Sequence, residues 1–251
     1  MLLSVNERLN LMAKILRRHF INTVKSSYYK TLLLLTLCWA AVVLFVVFTL
    51  FTYAISLLFV IPTAFLIFKL NRRVRSLKSG ADGEKNCLKL LSSLPKGYYI
   101  IPDVTLSVKG KTAQLDYIII SNGGIFIIES KNHGGVISGS LLEPKLYKTK
   151  RINGKKETSN FYNPAYQVST HMRLMRELLN DGGFDADLYG AVYFSNPKTV
   201  LELDTSLGSV PVFSRGQDGK KRIISYICSK KSRLTKSEVI KLKSFIFSHC
   251  S

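Results

Sequence analysis

Two acidic residues, Asp116 and Glu129, lie where the sequence predicts a β-hairpin that places them side by side. Two apolar, β-branched runs flank an Asn-Gly pair at 122–123, which is typical of a two-residue hairpin turn. With this pair as the loop, Ser121 pairs with Gly124 and Asp116 falls opposite Glu129. The two Cβ atoms would then be roughly 5 Å apart, a spacing at which like charges are destabilising. A divalent metal ion held between the carboxylates would remove this repulsion.

The residues around the pair favour a chemical site over a surface ion pair. Lys131 lies one step from Glu129 on the same face, and Gln114 falls opposite Lys131 in the same register. The alternative is a cross-strand ion pair on a solvated sheet edge, which an isolated Glu-x-Lys would favour. Here each carboxylate shares its strand face with apolar residues, which are Ile118, Ile120, Ile125 and Ile127. The charges therefore lie at the end of an apolar face, which favours a metal or phosphate site.

The elements that would position these residues alternate between helical and strand patterns. Helical spacing occurs at 84–94 after a loop at 79–84, and Asn163-Pro164 opens a second helix at 164–180. Strand patterns and turns complete the prediction. They place strands at 98–108, 188–195 and 210–213, a two-stranded hairpin at 112–131, one or two short strands in 136–150, a hairpin turn at 153–154 and a closing helix at 235–248. The core order α-β-β-β-α-β predicts an α/β (α+β) domain with a mixed central sheet.

A run of 38 residues, 31–68, contains no charged side chain. Because one span needs about 20 apolar residues, the run predicts a transmembrane hairpin of two helices, 31–48 and 52–68, with a short turn near 49–52. Lys and Arg flank both ends of the run, so the positive-inside tendency places both termini and the soluble domain on the cytoplasmic side of the cell membrane. One long tilted span or a re-entrant pair is the alternative.

The formal net charge of +20 is concentrated outside the centre of the chain. Residues 1–30, 69–78 and 220–251 carry net charges of +5, +5 and +8, whereas 79–219 contains 16 basic and 14 acidic residues. This distribution predicts contact with anionic lipid or nucleic acid through the flanking segments. Residues 5–25 have the spacing of a basic amphipathic helix, which would lie on the membrane surface or pack against the soluble domain.

The four cysteines, at 38, 87, 228 and 250, form no C-x-x-C pair. Their spacing therefore argues against a disulfide framework or a cysteine-rich zinc site. A reducing compartment is the expected environment.

Four short motifs occur in order between residues 79 and 195. They are Gly83-Glu84, Gln114-x-Asp116, the run Gly124-Ile-Phe-Ile-Ile-Glu129-Ser-Lys131-Asn132, and Asn163-Pro164-x-x-Gln167-x-x-x-His171. With these motifs the stretch resembles the NERD (nuclease-related) domain, which is grouped with the PD-(D/E)xK nuclease superfamily. Tyr117 departs from that pattern, because a His often follows the Asp in the family. Four motifs in order are far more specific than a lone Glu-x-Lys.

The resemblance implies a metal-dependent nuclease site. Asp116 and Glu129 would bind Mg²⁺ or Mn²⁺, with Glu84 from the first helix as a further acidic group near the metal. Lys131 would position or deprotonate the attacking water, or stabilise the transition state. Gln114 would orient the water or Lys131. For Glu84 the alternative is a charge that stabilises the first turn of a helix.

Gln167 and His171 lie four residues apart, so they share one face of the second helix. The family pattern would turn this face toward the site as a second layer around it. Capping and packing would explain the same residues equally well.

The sequence thus predicts a membrane-anchored protein whose cytoplasmic domain hydrolyses phosphodiester bonds of nucleic acid, DNA or RNA. Its predicted parts are a basic amphipathic segment (1–30), a transmembrane helical hairpin (31–68), a basic juxtamembrane linker (69–78), a NERD-like nuclease domain (79–219) and a basic C-terminal segment with a helix (220–251). The alternative is a catalytically silent module that binds nucleic acid, or a membrane scaffold whose basic tails bind anionic lipid. The complete Asp-Glu-Lys set favours the enzyme.

Overall fold

The structure is a computed structural model that describes residues 5–49, 57–152, 154–204, 210–231 and 233–250, with only the backbone for 5–25, 49, 57 and 58. The chain divides into two compact units, Met1–Asp82 and Gly83–Ser251. The helices are α1 (Val5–Thr49), α2 (Leu57–Leu91), α3 (Pro164–Asp181), α4 (Gly219–Cys228) and α5 (Lys236–Ser248), with a short 3-10 helix at Arg215–Gln217. The strands are β1 (Tyr99–Val108), β2 (Lys111–Ser121), β3 (Gly124–Lys131), β4 (Gly135–Ser140), β5 (Lys145–Ile152), β6 (Lys155–Tyr162), β7 (Leu188–Phe194), β8 (Thr199–Asp204) and β9 (Val212–Ser214).

The first unit contains α1 and the beginning of α2. Within the described residues, one helical segment, Ser26–Phe48, is long and apolar enough to cross a membrane, with a mean hydropathy of 2.7. The second predicted span, 52–68, is not found as such, because the described apolar part of α2 runs only from Leu57 to Phe68 and charged residues follow. The predicted turn near 49–52 falls almost entirely outside the described residues.

The two helices of the first unit are longer than the sequence patterns predicted. Residues 5–25 are helical and continue without a break into the apolar segment of α1, and their side chains are not described. Likewise α2 extends through residues 69–78 and through 79–83, which had been predicted as a loop. Gly80 and Gly83 do not end the helix, because a glycine inside a helix costs only about 1 kcal/mol and the packed turn that follows offsets this.

A five-stranded mixed sheet, in the order β1-β2-β3-β7-β9, forms the centre of the second unit. The first three strands are antiparallel, whereas β7 lies parallel to both β3 and β9. The predicted hairpin turn is confirmed, because Ser121 pairs with Gly124 and Tyr117 pairs with Ile128. The chain reaches this sheet in the predicted order, with the end of α2, then β1 to β3, then α3 and β7.

A second sheet of four strands, in the order β6-β5-β4-β8, is inserted between β3 and α3 and is completed by β8 after β7. The predicted turn at 153–154 connects β5 to β6, which pair from Ile152↔Lys155 to Lys145↔Tyr162. Asn163 closes the base of the β5–β6 hairpin, because its buried side chain donates to the carbonyl oxygens of Leu141 and Glu143 at 3.1 and 2.7 Å. The same side chain caps α3 by accepting from the backbone N–H of Ala165.

Helices cover both faces of the central sheet. On one face, the apolar sides of α3 and α5 pack against the inward-facing isoleucines of β2 and β3. On the other face, the last turns of α2 and the helix α4 bury Cys87, Leu91, Ile223 and Ile227 against Tyr117 and its neighbours. The structure is therefore an α+β domain with helical layers around a mixed sheet, as predicted.

Gly83 allows α2 to lie directly against the ends of β3 and β7. A Cβ atom at this position would be 2.5 Å from the Cβ of Asn132 and 3.0 Å from the Oγ of Ser195. One residue later, the hydroxyl of Tyr117 donates to the backbone carbonyl of Glu84 at 2.8 Å. This close approach fixes where the next side chain, that of Glu84, meets the sheet.

We expect Gly83→Ala to lower the free energy of unfolding by about 1–3 kcal/mol, because the added methyl group overpacks a rigid contact. Gly80→Ala is the matched control on the same helix, since a Cβ there meets nothing within 4 Å. That control should be neutral or stabilising by up to about 1 kcal/mol. Denaturant titration of both variants checks the prediction, and equal effects would contradict the close approach of α2.

Candidate active site

The predicted carboxylate pair lies where backbone pairing in the central sheet is interrupted. The β2–β3 register ends at Tyr117↔Ile128, and the β1–β2 register passes from Pro102↔Tyr117 to Val104↔Leu115. In neither register does a described backbone pair include Asp116. Instead its Oδ2 atom accepts a hydrogen bond from the backbone N–H of Ser130 at 2.8 Å. A side chain therefore bridges β2 and β3 where the next ladder pair would have been.

Glu129 is buried at the carboxyl end of β3, with 1% of its side chain exposed. Its strand lies between β2 and β7, so the predicted alternative of an ion pair on a solvated sheet edge is wrong. The Oε1 atom of Glu129 lies 2.5 Å from the Nζ of Lys131, two residues along the same strand. Burial, followed by the nearby charge of Asp116, raises the pKa of Glu129 to about 7 even though Lys131 lowers it.

Helix α3 brings the face that carries Gln167 and His171 against this carboxylate. Lys131 Nζ donates to the Oε1 of Gln167 at 3.2 Å, so Lys131 is held between Glu129 and α3. The Nδ1 of His171 lies 4.0 Å from the Oε2 of Glu129, and burial together with Lys131 lowers the pKa of His171. Both effects disfavour the protonated form of the His171 ring.

Glu84 approaches the same region from α2, beyond the close contact at Gly83. Burial raises its pKa to about 7, and the charges of Asp116 and Asp103 add to this effect. The pKa of Asp116 is also raised, mainly by burial and despite its hydrogen bond from Ser130. Three carboxyl groups from α2, β2 and β3, of which Glu129 is fully buried and the other two partly buried, thus resist one another's ionisation.

Gln114 is the predicted site residue that the structure places elsewhere. Its side chain is exposed, and its Nε2 donates to the Oδ1 of Asp103 at 2.7 Å. Because the β2–β3 ladder ends before Asp116, no register pair places Gln114 opposite Lys131. Lys131 finds its amide partner on α3 instead.

Asp103 is the neighbour of the site that sequence reasoning missed. It has a positive φ of 46°, a conformation that Asp tolerates better than most residues. It lies between Pro102 and Val104, where the apolar pattern of β1 is broken. A proline followed by a carboxylate inside a strand pattern is the sequence signal that would have identified this interruption.

The donor atoms fit a hard divalent cation in chemical type. Among the described residues, the buried atoms Glu84 Oε2 and Glu129 Oε2 have no hydrogen-bond partner, and a cation would supply one. Within the same residues no group of three or more His, Cys, Asp and Glu side chains is gathered closely enough to form a complete metal site. Mg²⁺ often uses only one or two carboxylates and completes its shell with water and substrate phosphate. Asp116, Glu129 and Glu84 therefore supply oxygen atoms of the type that such an ion binds.

The raised pKa values make the stability of the domain depend on pH in a defined direction. A carboxyl group with a folded-state pKa of about 7, against an ordinary value of 4.5, binds its proton more tightly in the folded protein. Its stabilising contribution is present below about pH 4.5 and is lost as the pH rises through 7. In metal-free buffer, we expect the free energy of unfolding of wild type to fall relative to that of Glu129→Gln between about pH 5 and pH 8.

Denaturant titrations across this pH range measure the difference between the two proteins. Glu202→Gln makes the same chemical change on an exposed residue of β8, so its difference from wild type should stay constant. A constant difference for Glu129→Gln as well would contradict the raised pKa.

Comparison with known proteins agrees with this geometry. Residues 79–195 match the family model described as the nuclease-related domain, NERD. An uncharacterized protein of Bacillus anthracis is 39% identical over 102 residues, which cover 40% of this chain and 46% of that relative. The match therefore spans less than half of the relative's length. No solved structure matches the chain.

The matched region contains every residue described at the site, from Glu84 on α2 to His171 on α3. It also contains the full core order of α2, β1 to β3, α3 and β7 up to Ser195. Residues 79–195 of this chain are therefore a nuclease-related (NERD) domain.

Proposed function

We propose that this domain hydrolyses phosphodiester bonds of nucleic acid with the help of Mg²⁺ or Mn²⁺. The observation that carries the proposal is the pair formed by the partly buried Asp116 and the buried Glu129, with Lys131 held beside Glu129. Like charges buried together are expensive unless a positive group compensates them, and Lys131 contacts only one of the two. The match to the nuclease-related family supports the same chemistry.

Asp116 and Glu129 would hold the metal, and Glu84 would add a third carboxylate. When bound, such an ion supplies Lewis acidity toward a phosphate oxygen and lowers the pKa of water. The buried atoms Glu84 Oε2 and Glu129 Oε2 have no hydrogen-bond partner among the described residues and are available for this purpose.

Lys131 would bind the phosphate group next to the bond that is cleaved. Its Nζ is oriented by Glu129 Oε1 and Gln167 Oε1, and its side chain remains 26% exposed, so it is reachable from solvent. A fixed positive group at this position stabilises the negative charge that develops on the phosphate during hydrolysis. His171, as a neutral ring beside Glu129, would keep α3 close without adding positive charge.

The helical segment Ser26–Phe48 would anchor the protein in a membrane. Basic residues precede this segment and follow the apolar run that ends at Phe68. Under the positive-inside tendency the basic flanks, and with them the nuclease-related domain, would lie on the cytoplasmic side. Anionic lipid at the cytoplasmic surface would attract the basic residues of 1–30 and 69–78.

Glu129→Gln in the full-length, detergent-solubilised protein should reduce cleavage of nucleic acid at least about 100-fold, because it removes a ligand and the partner of Lys131 while preserving shape. Asp116→Asn and Lys131→Ala should act in the same direction. The assay follows labelled single- and double-stranded DNA and RNA with Mg²⁺, Mn²⁺ or EDTA. Glu202→Gln, on an exposed strand, is the matched control and should keep full activity.

Calorimetry with Mn²⁺ separates the possible failures of this proposal. Binding of Mn²⁺ that is lost in Glu129→Gln supports the metal site independently of turnover. Absence of cleavage on every substrate, with nucleic-acid binding unchanged in the variants, would favour the catalytically silent binding module. Absence of Mn²⁺ binding would overturn the metal site itself.

The proposed orientation can be tested with a native cysteine. Cys228 is exposed at the end of α4, whereas Cys87 is buried. In bacterial spheroplasts that express the full chain, a membrane-impermeant maleimide should label Cys228 only after permeabilisation. Cys228→Ser identifies the signal by removing it, and labelling of intact spheroplasts at Cys228 would contradict the cytoplasmic orientation.

A further inference from the structure

The β5–β6 hairpin (Lys145–Tyr162) carries a concentration of positive charge that neither the site nor the membrane segment explains. It contains six basic residues and one acidic residue, Glu157, although residues 79–219 as a whole are nearly neutral. Apart from Leu146, which is buried, and three partly buried positions, its described residues are exposed. No ion pair among the described residues involves this hairpin. Its charge is therefore available to an external anion.

The hairpin has two distinct faces, which the strand register defines. Leu146↔Phe161, Lys148↔Ser159 and Lys150↔Glu157 are successive pairs on one face, because alternate residues of a strand point the same way. Lys145, Tyr147 and Arg151 lie on the other face, where Arg151 pairs with Lys156. The face that begins with Leu146 and Phe161 is called the inner face below.

The inner face begins at the connection that leaves the candidate active site. The ring of His133, two residues after Lys131, contacts the ring of Phe161 with centroids 4.6 Å apart. Gly135 then packs against β5, where a Cβ atom would lie 2.8 Å from Cγ of Lys150. The chain that leads from Glu129 and Lys131 therefore runs directly onto the inner face.

Lys150 and then Lys148 follow the first residues of β4 as the chain leaves the site. Gly135 packs against Lys150, and Ile137 pairs with Lys148 in the register of β4 and β5. The two lysines are two residues apart on one strand, so their Cα atoms are separated by about 7 Å along β5. Lys131, Lys150 and Lys148 therefore form a line of positive charge from the site outward, in which Glu157 lies opposite Lys150. Burial, followed by the charges of these lysines, lowers the pKa of His133 to about 4.

We propose that the inner face of the β5–β6 hairpin, through Lys148 and Lys150, binds the sugar-phosphate backbone of a nucleic-acid strand whose scissile phosphate lies at Lys131. This assignment rests on the proposed function for the location of the scissile bond, but not for binding itself. The spaced lysines match the repeated negative charge of a phosphate backbone. An acidic protein surface or a lipid headgroup would not require the line of charge to end at a buried carboxylate site.

Binding of labelled DNA and RNA oligonucleotides to the full-length protein in EDTA tests the proposal without any catalytic step. Lys148→Ala/Lys150→Ala should weaken binding about tenfold at moderate salt and lower the slope of log affinity against log salt by about 1.5, as expected for two lost phosphate contacts. Lys148→Arg/Lys150→Arg should restore both quantities, because it returns the charge. Circular dichroism verifies that each variant is folded.

Arg151→Ala/Lys156→Ala is the matched control, since it removes two charges from the other face of the same hairpin. It should leave affinity within about twofold of wild type. Equal weakening by both double variants, or no weakening by Lys148→Ala/Lys150→Ala, would overturn the assignment. The assignment would also be overturned if the inner-face variants lost adhesion to phosphatidylglycerol vesicles while they kept nucleic-acid binding.

The outcomes also separate this inference from the proposed function. If the wild-type protein has no hydrolytic activity but the inner-face lysines still control binding, the inference stands and the proposed hydrolysis fails. If wild type cleaves nucleic acid and the inner-face variants cleave and bind as wild type does, the hydrolysis stands and the inference fails.

Discussion

The arrangement of this domain depends on one constraint, which is the burial of acidic groups inside a sheet at the point where its backbone pairing stops. Asp116 has no described ladder partner on either side, so its carboxylate takes the backbone N–H of Ser130 as its partner. Glu129 is enclosed at the end of a central strand, with Lys131 as its single close positive neighbour. Burying charge in this way is unfavourable by several kcal/mol per ion unless it is compensated.

The surrounding helices hold the carboxylates and Lys131 in this unfavourable arrangement. Helix α2 can approach because Gly83 has no side chain, and the hydroxyl of Tyr117 holds the carbonyl of Glu84. Tyr117 thereby serves as a structural link between β2 and α2. On the opposite face, Gln167 holds Lys131 in place. Raised carboxyl pKa values of this kind are typical of sites that bind an external charged group.

Much of the site was predictable because it depends on local rules. The Asn-Gly turn and the period of two fixed the register of the β2–β3 hairpin as far as Tyr117, and Asn163-Pro164 marked the beginning of α3. The end of the ladder was not predictable from that rule, because it depends on the interruption at Pro102 and Asp103 in a neighbouring strand. For this reason Gln114 contacts Asp103 and does not pair with Lys131 as predicted.

The helices and strands that the sequence did not predict also have physical explanations. Glycines at 80 and 83 suggested a loop, but tertiary packing of the next turn kept α2 helical. Helix α4 follows a positive-φ Asp218 and lacks a side-chain cap, so no start signal identified it. The second sheet went unrecognised because β8 pairs with β4 across a long stretch of chain, and such pairing leaves no local pattern.

Asn163 has a consequence for how tolerant the domain is to change. Because one buried amide joins the two ends of the β5–β6 hairpin to the start of α3, the length and composition of the hairpin beyond that point are separated from the position of the helix. A shortened or replaced hairpin would therefore leave Gln167 and His171 where they face Glu129. A single asparagine thus separates an exchangeable arm from the helix that supports the carboxylates.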